Sequence, residues 1–419
     1  MERRDNSADT RRSLALFWCL SAALLGAGFF LAPSGDAAQP GACRGKKECS
    51  SGSTTSATTS EPTPTATTAA TTTTTASAAQ PGAVASTPSS RIFPYYYLWW
   101  SEKHWMDKLG SAYPYQASPL PLPAMLGPDG CNATSLYPGA QITDSPQALW
   151  SQDDAATLER DVRAAAQAGL SGFLVAWRGT GQAGQSTESS AQNTRLEYMF
   201  QAVRKLNAEG VPFRLWIGYR ASSTYASPAT IRNDWTYLRD KYASDAVLDR
   251  RYSNRPVLIW IGSRKYSLDE VAAANTFRST FFVIGDESNT TWTRERGQYL
   301  DGATWYWSSQ NPYTNVHSFD QVRDLGAAVR SAGTNPDGTP KVWLSPLSPG
   351  YNSELLRGGS CVPRNGTETL ERLFAGNSAS NPDGWALISW NEIAEGTYVM
   401  PLQRWGSLYL QALSALVRR

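Results

Sequence analysis

The chain has 419 residues, a net charge of +2 and 18% charged side chains. That length allows two average domains or one large barrel, and the charge balance lacks the clustered Lys and Arg of a nucleic-acid surface. The two histidines, His104 and His317, argue against a multi-histidine metal site and leave few partners for a serine triad, so hydrolytic chemistry would fall on carboxylates.

At the N-terminus, Arg3, Arg4, Arg11 and Arg12 precede an apolar run from Leu14 to Ala32, and small residues follow through Ala38. Residues 1–38 therefore read as a secretory signal peptide or an uncleaved signal anchor. The protein is expected to be secreted or held at the cell surface, touching a membrane only through this segment. Residues 39–90 read as a linker, and from Ser50 onward it is Thr-, Ser-, Ala- and Pro-rich with Glu61 as its one charge. Such a composition cannot bury a core and predicts a disordered stalk. Of the five cysteines, Cys19 lies in the apolar run. The other four permit two disulfides in an exported protein, with Cys43–Cys49 and Cys131–Cys361 the preferred pairing.

Aromatic content rises at Arg91, where a folded domain over 91–419 begins. Eight apolar runs in it have strand length: 92–99, 172–177, 213–219, 256–261, 281–286, 303–307, 341–347 and 386–390. Their continuous apolar character suits parallel strands buried on both faces. Helical stretches alternate with them. Ser151 with Asp154, Ser227 before Pro228, Ser267 with Glu270, Ser318 with Gln321, and Asn365 with Glu368 all mark helix starts. A last helix is expected over 403–417. Eight strand–helix repeats without a G-x-G-x-x-G turn predict a (β/α)8 TIM barrel rather than an open dinucleotide-binding sheet.

In such a barrel the site lies at the carboxyl ends of the strands. The most informative stretch there follows the eighth run, where Asn391, Glu392 and Glu395 sit in N-E-I-A-E-G-T. Two nearby carboxylates push their pKa values apart and suit acid–base work on a glycosidic bond. If the segment makes a helical turn, the three-residue spacing favours a retaining geometry. Asp286 and Glu287 form a rival acidic pair, for which an ion pair with Arg178 or Arg220 is the preferred reading. His104 could contact substrate or be an ordinary loop residue. The chain is rich in rings, with 16 Trp and 19 Tyr. Those at strand ends are candidates to bind sugars: Tyr95, Tyr97, Trp99, Trp177, Tyr219, Trp305, Trp307, Tyr351 and Trp390, with packing between helix and sheet as the alternative for each.

These residues carry a resemblance. "SWNEIAEGTYVMP", with "LSPGYN" and "RNG" before it, resembles the endo-α-mannosidase-like glycoside hydrolases, family 99 and its 99-like or 71/99-like relatives. "YYYLWW", "GLSGFLVAWRG" and "YLDGATWYW" agree with that barrel pattern, and the resemblance spans residues 91–419. It implies a retaining, metal-independent glycosidase that needs no cofactor. Glu392 would draw a proton from the sugar 2-hydroxyl, which attacks the anomeric carbon to give a 1,2-anhydro sugar. Glu395 would protonate the leaving oxygen and then activate water, and Asn391 would orient the pair. The departure at Ile393 and Ala394, where the endomannosidases tend to carry an aromatic residue and His, leaves the linkage open. The expected activity is hydrolysis of an α-linked oligosaccharide or polysaccharide, mannan-like by preference, by a monomer. The rival expectation is a surface glycan-binding barrel without activity; a structural wall protein would explain the linker but not the motif.

Overall fold

The computed structural model describes residues 90–181, 187–220, 226–356 and 359–419, with the side chains of 187–189 left aside. The expected signal or anchor segment, the linker up to residue 89, Cys19 and the Cys43–Cys49 pair lie outside the described residues. No helix among the described residues is long and apolar enough to cross a membrane.

Eight strands form the centre of the domain. They are β1 (Ile92–Tyr97), β2 (Gly172–Trp177), β3 (Arg214–Tyr219), β4 (Val257–Trp260), β5 (Phe282–Asp286), β6 (Gly302–Thr304), β7 (Val342–Leu347) and β8 (Gly384–Leu387). All neighbours pair in parallel, and β1 bonds to both β2 and β8, so the sheet closes on itself. Each of the eight apolar runs has become a barrel strand, though β6 stops before Trp305 and β8 before Ile388.

Nine helices are described: α1 (Glu102–Leu109), α2 (Ala155–Gln167), α3 (Thr187–Ala208), α4 (Pro228–Tyr242), α5 (Leu268–Ala274), α6 (Thr290–Arg296), α7 (Ser318–Ser331), α8 (Glu368–Asn377) and α9 (Leu408–Val417). Several start where the sequence signals a cap. Asp154 accepts from the Ala156 amide, Ser227 caps α4 ahead of Pro228, and Ser267 with Glu270 closes a full capping box on α5. Two expected boxes do not form. His317 and Thr367 stand at the cap positions of α7 and α8, neither with a capping side-chain bond, because a preceding turn sets where each helix begins. The last helix starts at Leu408 rather than at 403, since residues 403–407 form a turn.

Strand alternation divides the apolar side chains between two layers. Phe93, Tyr95, Tyr97, Leu174, Trp216, Ile259, Ile284, Leu344 and Ala386 fill the barrel interior. Ile92, Tyr96, Phe173, Val175, Trp177 and Tyr219 pack outward beneath the helices. Phe93 stacks on Trp216 with centroids 3.7 Å apart, and Arg251 lies over Phe93. Side chains thus fill the barrel at that level. A disulfide joins Cys131 to Cys361 across 230 residues of chain, the pairing expected for those two cysteines.

Candidate active site

Beyond β8 the chain turns across the barrel mouth, and β1 holds it there. The Trp390 amide donates to the Tyr95 carbonyl at 2.8 Å. The Asn391 side chain then completes the edge of β1, its Oδ1 accepting from the Tyr97 amide at 2.8 Å and its Nδ2 donating to the Tyr97 carbonyl at 2.9 Å. The Trp100 indole donates to the Asn391 carbonyl at 2.7 Å. Asn391 is fully buried, and an amide side chain is the right choice because it offers one acceptor and one donor to a backbone that needs both.

The same loop is tied down at its far end. Ser389 Oγ accepts from the Glu392 amide at 2.7 Å, and the Thr397 amide donates to the Glu392 carbonyl at 3.1 Å. The Asn352 amide donates to the Glu395 carbonyl at 2.8 Å. Gly396 follows with φ +59°, and a Cβ there would meet Asn352 backbone at 3.0 Å, so glycine is favoured at this position. Arg364 donates to the Gly396 and Tyr398 carbonyls, both at 2.8 Å, and its guanidinium lies over the rings of Tyr398, Trp405 and Tyr409. Asn352 pairs with Cys361 in a short antiparallel ladder, so the disulfide backs the platform on which Glu395 stands.

Glu392 is 6% exposed and Glu395 half-buried. Burial pushes Glu392 up to about 8, the nearby Glu395 carboxylate adds to that rise, and Arg220 and Lys108 oppose it. Burial also raises Glu395, against Arg220 and a hydrogen bond from Ser308. Burial and the nearness of the two carboxyls thus disfavour ionising both together. Tyr95 Oη and Glu395 Oε2 are buried with no hydrogen-bond partner among the described residues. Beside Glu392 opens a cavity of about 540 Å³, lined among others by Trp99, His104, Lys108, Arg178 and Ala394. Among the described residues, no cluster of His, Cys, Asp or Glu has the makings of a metal site.

No protein-family model and no curated protein matches the chain. Solved structures do match. The GH99 endo-alpha-mannosidase from Bacteroides thetaiotaomicron aligns with a TM-score of 0.58 at 16% identity, over 78% of this chain and 96% of that one. A glycoside hydrolase-like protein aligns at 0.54 and 11%, over 80% and 96%. The chain has the fold of these proteins.

Within that endo-α-mannosidase fold, the expected binding residues separate by the direction in which they point. Tyr95 and Tyr97 face the interior, and Trp99 stacks on Tyr97 at 4.2 Å and reaches the cavity. Tyr351 is half-buried, close enough to feel the charge of both glutamates. The others lie elsewhere. Trp177 stacks on Tyr237 of α4 and donates to Asn193 of α3. Tyr219 donates to Asp234 of α4, and Trp390 packs against Phe173 in the outer layer. Trp305 and Trp307 stack on each other and pack with the α7 residues of a separate outer cluster. Alternation turns Trp177, Tyr219, Trp305 and Trp307 toward helices, and the turn beyond β8 carries Trp390 to the outer layer, so the packing alternative describes their places.

Two contributors escaped the sequence reading. Tyr306 lies between Trp305 and Trp307 but points inward, its hydroxyl 2.5 Å from that of Tyr97. Strict alternation along the sixth run was the available signal. Lys108 comes from α1, outside any strand end, and nothing local marks it. His104 lines the cavity as well; burial and the cations Lys108, Arg195 and Arg178 lower it to about 4.

The rival acidic pair is held by ion pairs, with partners other than those expected. Asp286 meets Arg264 at 2.6 Å, and Glu287 meets Arg296 at 2.6 Å while accepting from Ser263.

Proposed function

We propose that the protein is an exported glycoside hydrolase that cleaves an α-linked glycan with retention, using Glu392 and Glu395. The observation that carries this reading is a buried Glu392 whose charge is opposed by that of the half-buried Glu395, beside an open cavity at the mouth of the barrel. A pair that shares one proton supplies an acid and a base at once. The likeness of fold to an endo-alpha-mannosidase and to a glycoside hydrolase-like protein supports the class.

The roles follow the sequence resemblance. Glu392 takes the proton of the sugar 2-hydroxyl as that oxygen closes on the anomeric carbon, and Glu395 gives its proton to the departing oxygen. Water then loses a proton to Glu395 and opens the 1,2-anhydro ring, while Glu392 returns its proton to the 2-oxygen. Two inversions at one carbon give net retention. Burial and Glu395 favour the protonated form of Glu392, so the first step draws on the form in which the proton has passed to Glu395; Lys108, whose charge acts on Glu392, favours that form. Asn391 keeps the loop in register with β1 through both steps.

The test is a digestion screen over α-linked oligosaccharides and polysaccharides, with products read by mass and the first-formed anomer by NMR. New reducing ends of retained configuration from the wild type, and none from Glu392→Gln, would support the reading. Binding without release across the whole panel would replace it with a glycan-binding barrel.

A further inference from the structure

The cavity beside the dyad is walled by charge more than by open aromatic faces. Lys103, His104, Lys108, Arg178 and Arg195 line it, against Asp107 and Glu392. Trp99 is there too, but protein groups cover its indole. Tyr97 stacks on it, and the Arg178 guanidinium lies over the ring, 5.0 Å from the centroid. A sugar entering this space therefore meets a guanidinium where an aromatic platform was expected.

Two of the cations have carboxylates of their own. Lys103 is bound to Asp107 at 2.6 Å, and the buried Arg195 to Asp153 at 2.8 Å and to the Leu98 carbonyl at 2.7 Å. Lys108 differs. It is half-buried in the last turn of α1, and its Nζ donates to the neutral Oε1 of Gln141 at 3.1 Å. It has no ion pair among the described residues. Arg220, at the end of β3, likewise has none, and its charge acts on both glutamates. Both carboxyls of the dyad are raised, which weakens the negative charge that faces these two cations. A neutral sugar can accept a hydrogen bond from an ammonium but leaves its charge uncompensated. A carboxylate, sulfate or phosphate compensates it, and more strongly in a recess than in open water.

We propose that the site takes an acidic glycan, one whose units carry a carboxylate, sulfate or phosphate, and that Lys108 meets the anionic group. The inference rests on the hydrolase reading only for the role of the site, and binding tests it apart from turnover. The full-length Glu392→Gln protein would be titrated calorimetrically at low salt. The probes are oligogalacturonates, sulfated and phosphorylated α-mannooligosaccharides, and the unsubstituted α-mannooligosaccharides of equal length. At least one acidic series should bind about tenfold tighter than the neutral one, and rising salt should erase the gap. Which series does so separates carboxylate from sulfate or phosphate.

Adding Lys108→Met in the same background should shrink the ratio of acidic to neutral affinity about tenfold, whereas Lys108→Arg should keep that ratio. Equal or tighter binding of the neutral series would overturn the inference, as would a Lys108→Met protein in which that ratio is unaltered. Acidic binding of this pattern with no cleavage by the wild type would sink the hydrolase reading and leave this one standing. Cleavage of neutral glycans by a wild type that binds the acidic series no more tightly would do the reverse.

Discussion

Two pairs of acidic side chains stand at the carboxyl ends of the barrel strands, Asp286 with Glu287 after β5 and Glu392 with Glu395 after β8. Asp286, Glu287 and Glu392 are all at most 6% exposed and Glu395 is half-buried, so burial does not set Glu392 apart from the β5 pair. Their partners do. Each member of the β5 pair has an arginine at 2.6 Å, and Asp286 also accepts from the backbone amides of Gly262 and Tyr306. The β8 pair has no ion pair among the described residues: the fields of Arg220 and Lys108 and a hydrogen bond from Ser308 to Glu395 are its support, and one oxygen of Glu395 is without a partner among the described residues. A buried carboxylate with an ion pair and hydrogen bonds is part of the frame. A buried carboxylate that faces another carboxylate has a proton to trade.

Substitution should separate the two pairs most sharply. Glu392→Gln or Glu395→Gln should lower turnover by about 10³-fold or more, within the range of lost acid–base catalysis, with the melting temperature held or raised. Arg296→Met should do the opposite kind of damage. It leaves Glu287 buried without its cation and should cost about 3–5 kcal/mol of stability by chemical denaturation. An unfolded Glu392→Gln protein, or a fully stable Arg296→Met protein, would erase the distinction.

Much of the barrel can be read from sequence because parallel strands buried on both faces appear as continuous apolar runs. The glutamate pair can be read because it follows the last run directly. What hydropathy does not carry is direction. Trp305 and Trp307 look like binding residues by type, yet the side-chain period of two turns them outward and Tyr306 inward. Trp177 and Tyr219 are further cases, each ending among helices instead of at the mouth, while Trp390 goes outward against the period because the chain turns after β8. The cations are illegible for another reason. Lys108 from α1 and Arg220 from β3 meet the β8 loop only because the sheet closes, and no local pattern encodes that convergence. Cys131 and Cys361 could be paired ahead of the structure, but their support of Glu395 through Asn352 could not.

Asn391→Ala probes the loop without touching either carboxylate. It removes the acceptor of the Tyr97 amide at a buried site, which should cost about 1–3 kcal/mol. Losing the register of the β8 loop against β1 should also cut kcat by about 10²-fold, with a smaller change in KM, because the dyad shifts while the cavity wall stays. If kcat held while stability fell, the clamp would be a packing device and the loop would be positioned by Ser389, Asn352 and Arg364 alone.

The smallest expected effect is also the most direct reading of the proton. Unfolded, Glu392 titrates near its ordinary value of 4.5, and folded it is raised to about 8. Between those values the folded state keeps a proton that the unfolded state has lost. The stability tied to this group is therefore complete below about 4.5 and declines as pH rises through about 8. Glu287, raised by burial to about 7 against the pull of Arg296, gives a slope of the same sign, but it does so in wild type and in Glu392→Gln alike. The difference between the two proteins thus isolates the dyad. Melting temperatures from pH 5 to 9 should show Glu392→Gln losing less stability with rising pH, and melting above the wild type by pH 8. Parallel curves would mean that Glu392 is ionised in the folded protein throughout, and the contrast between the two acidic pairs would then lie in geometry without a difference in proton affinity.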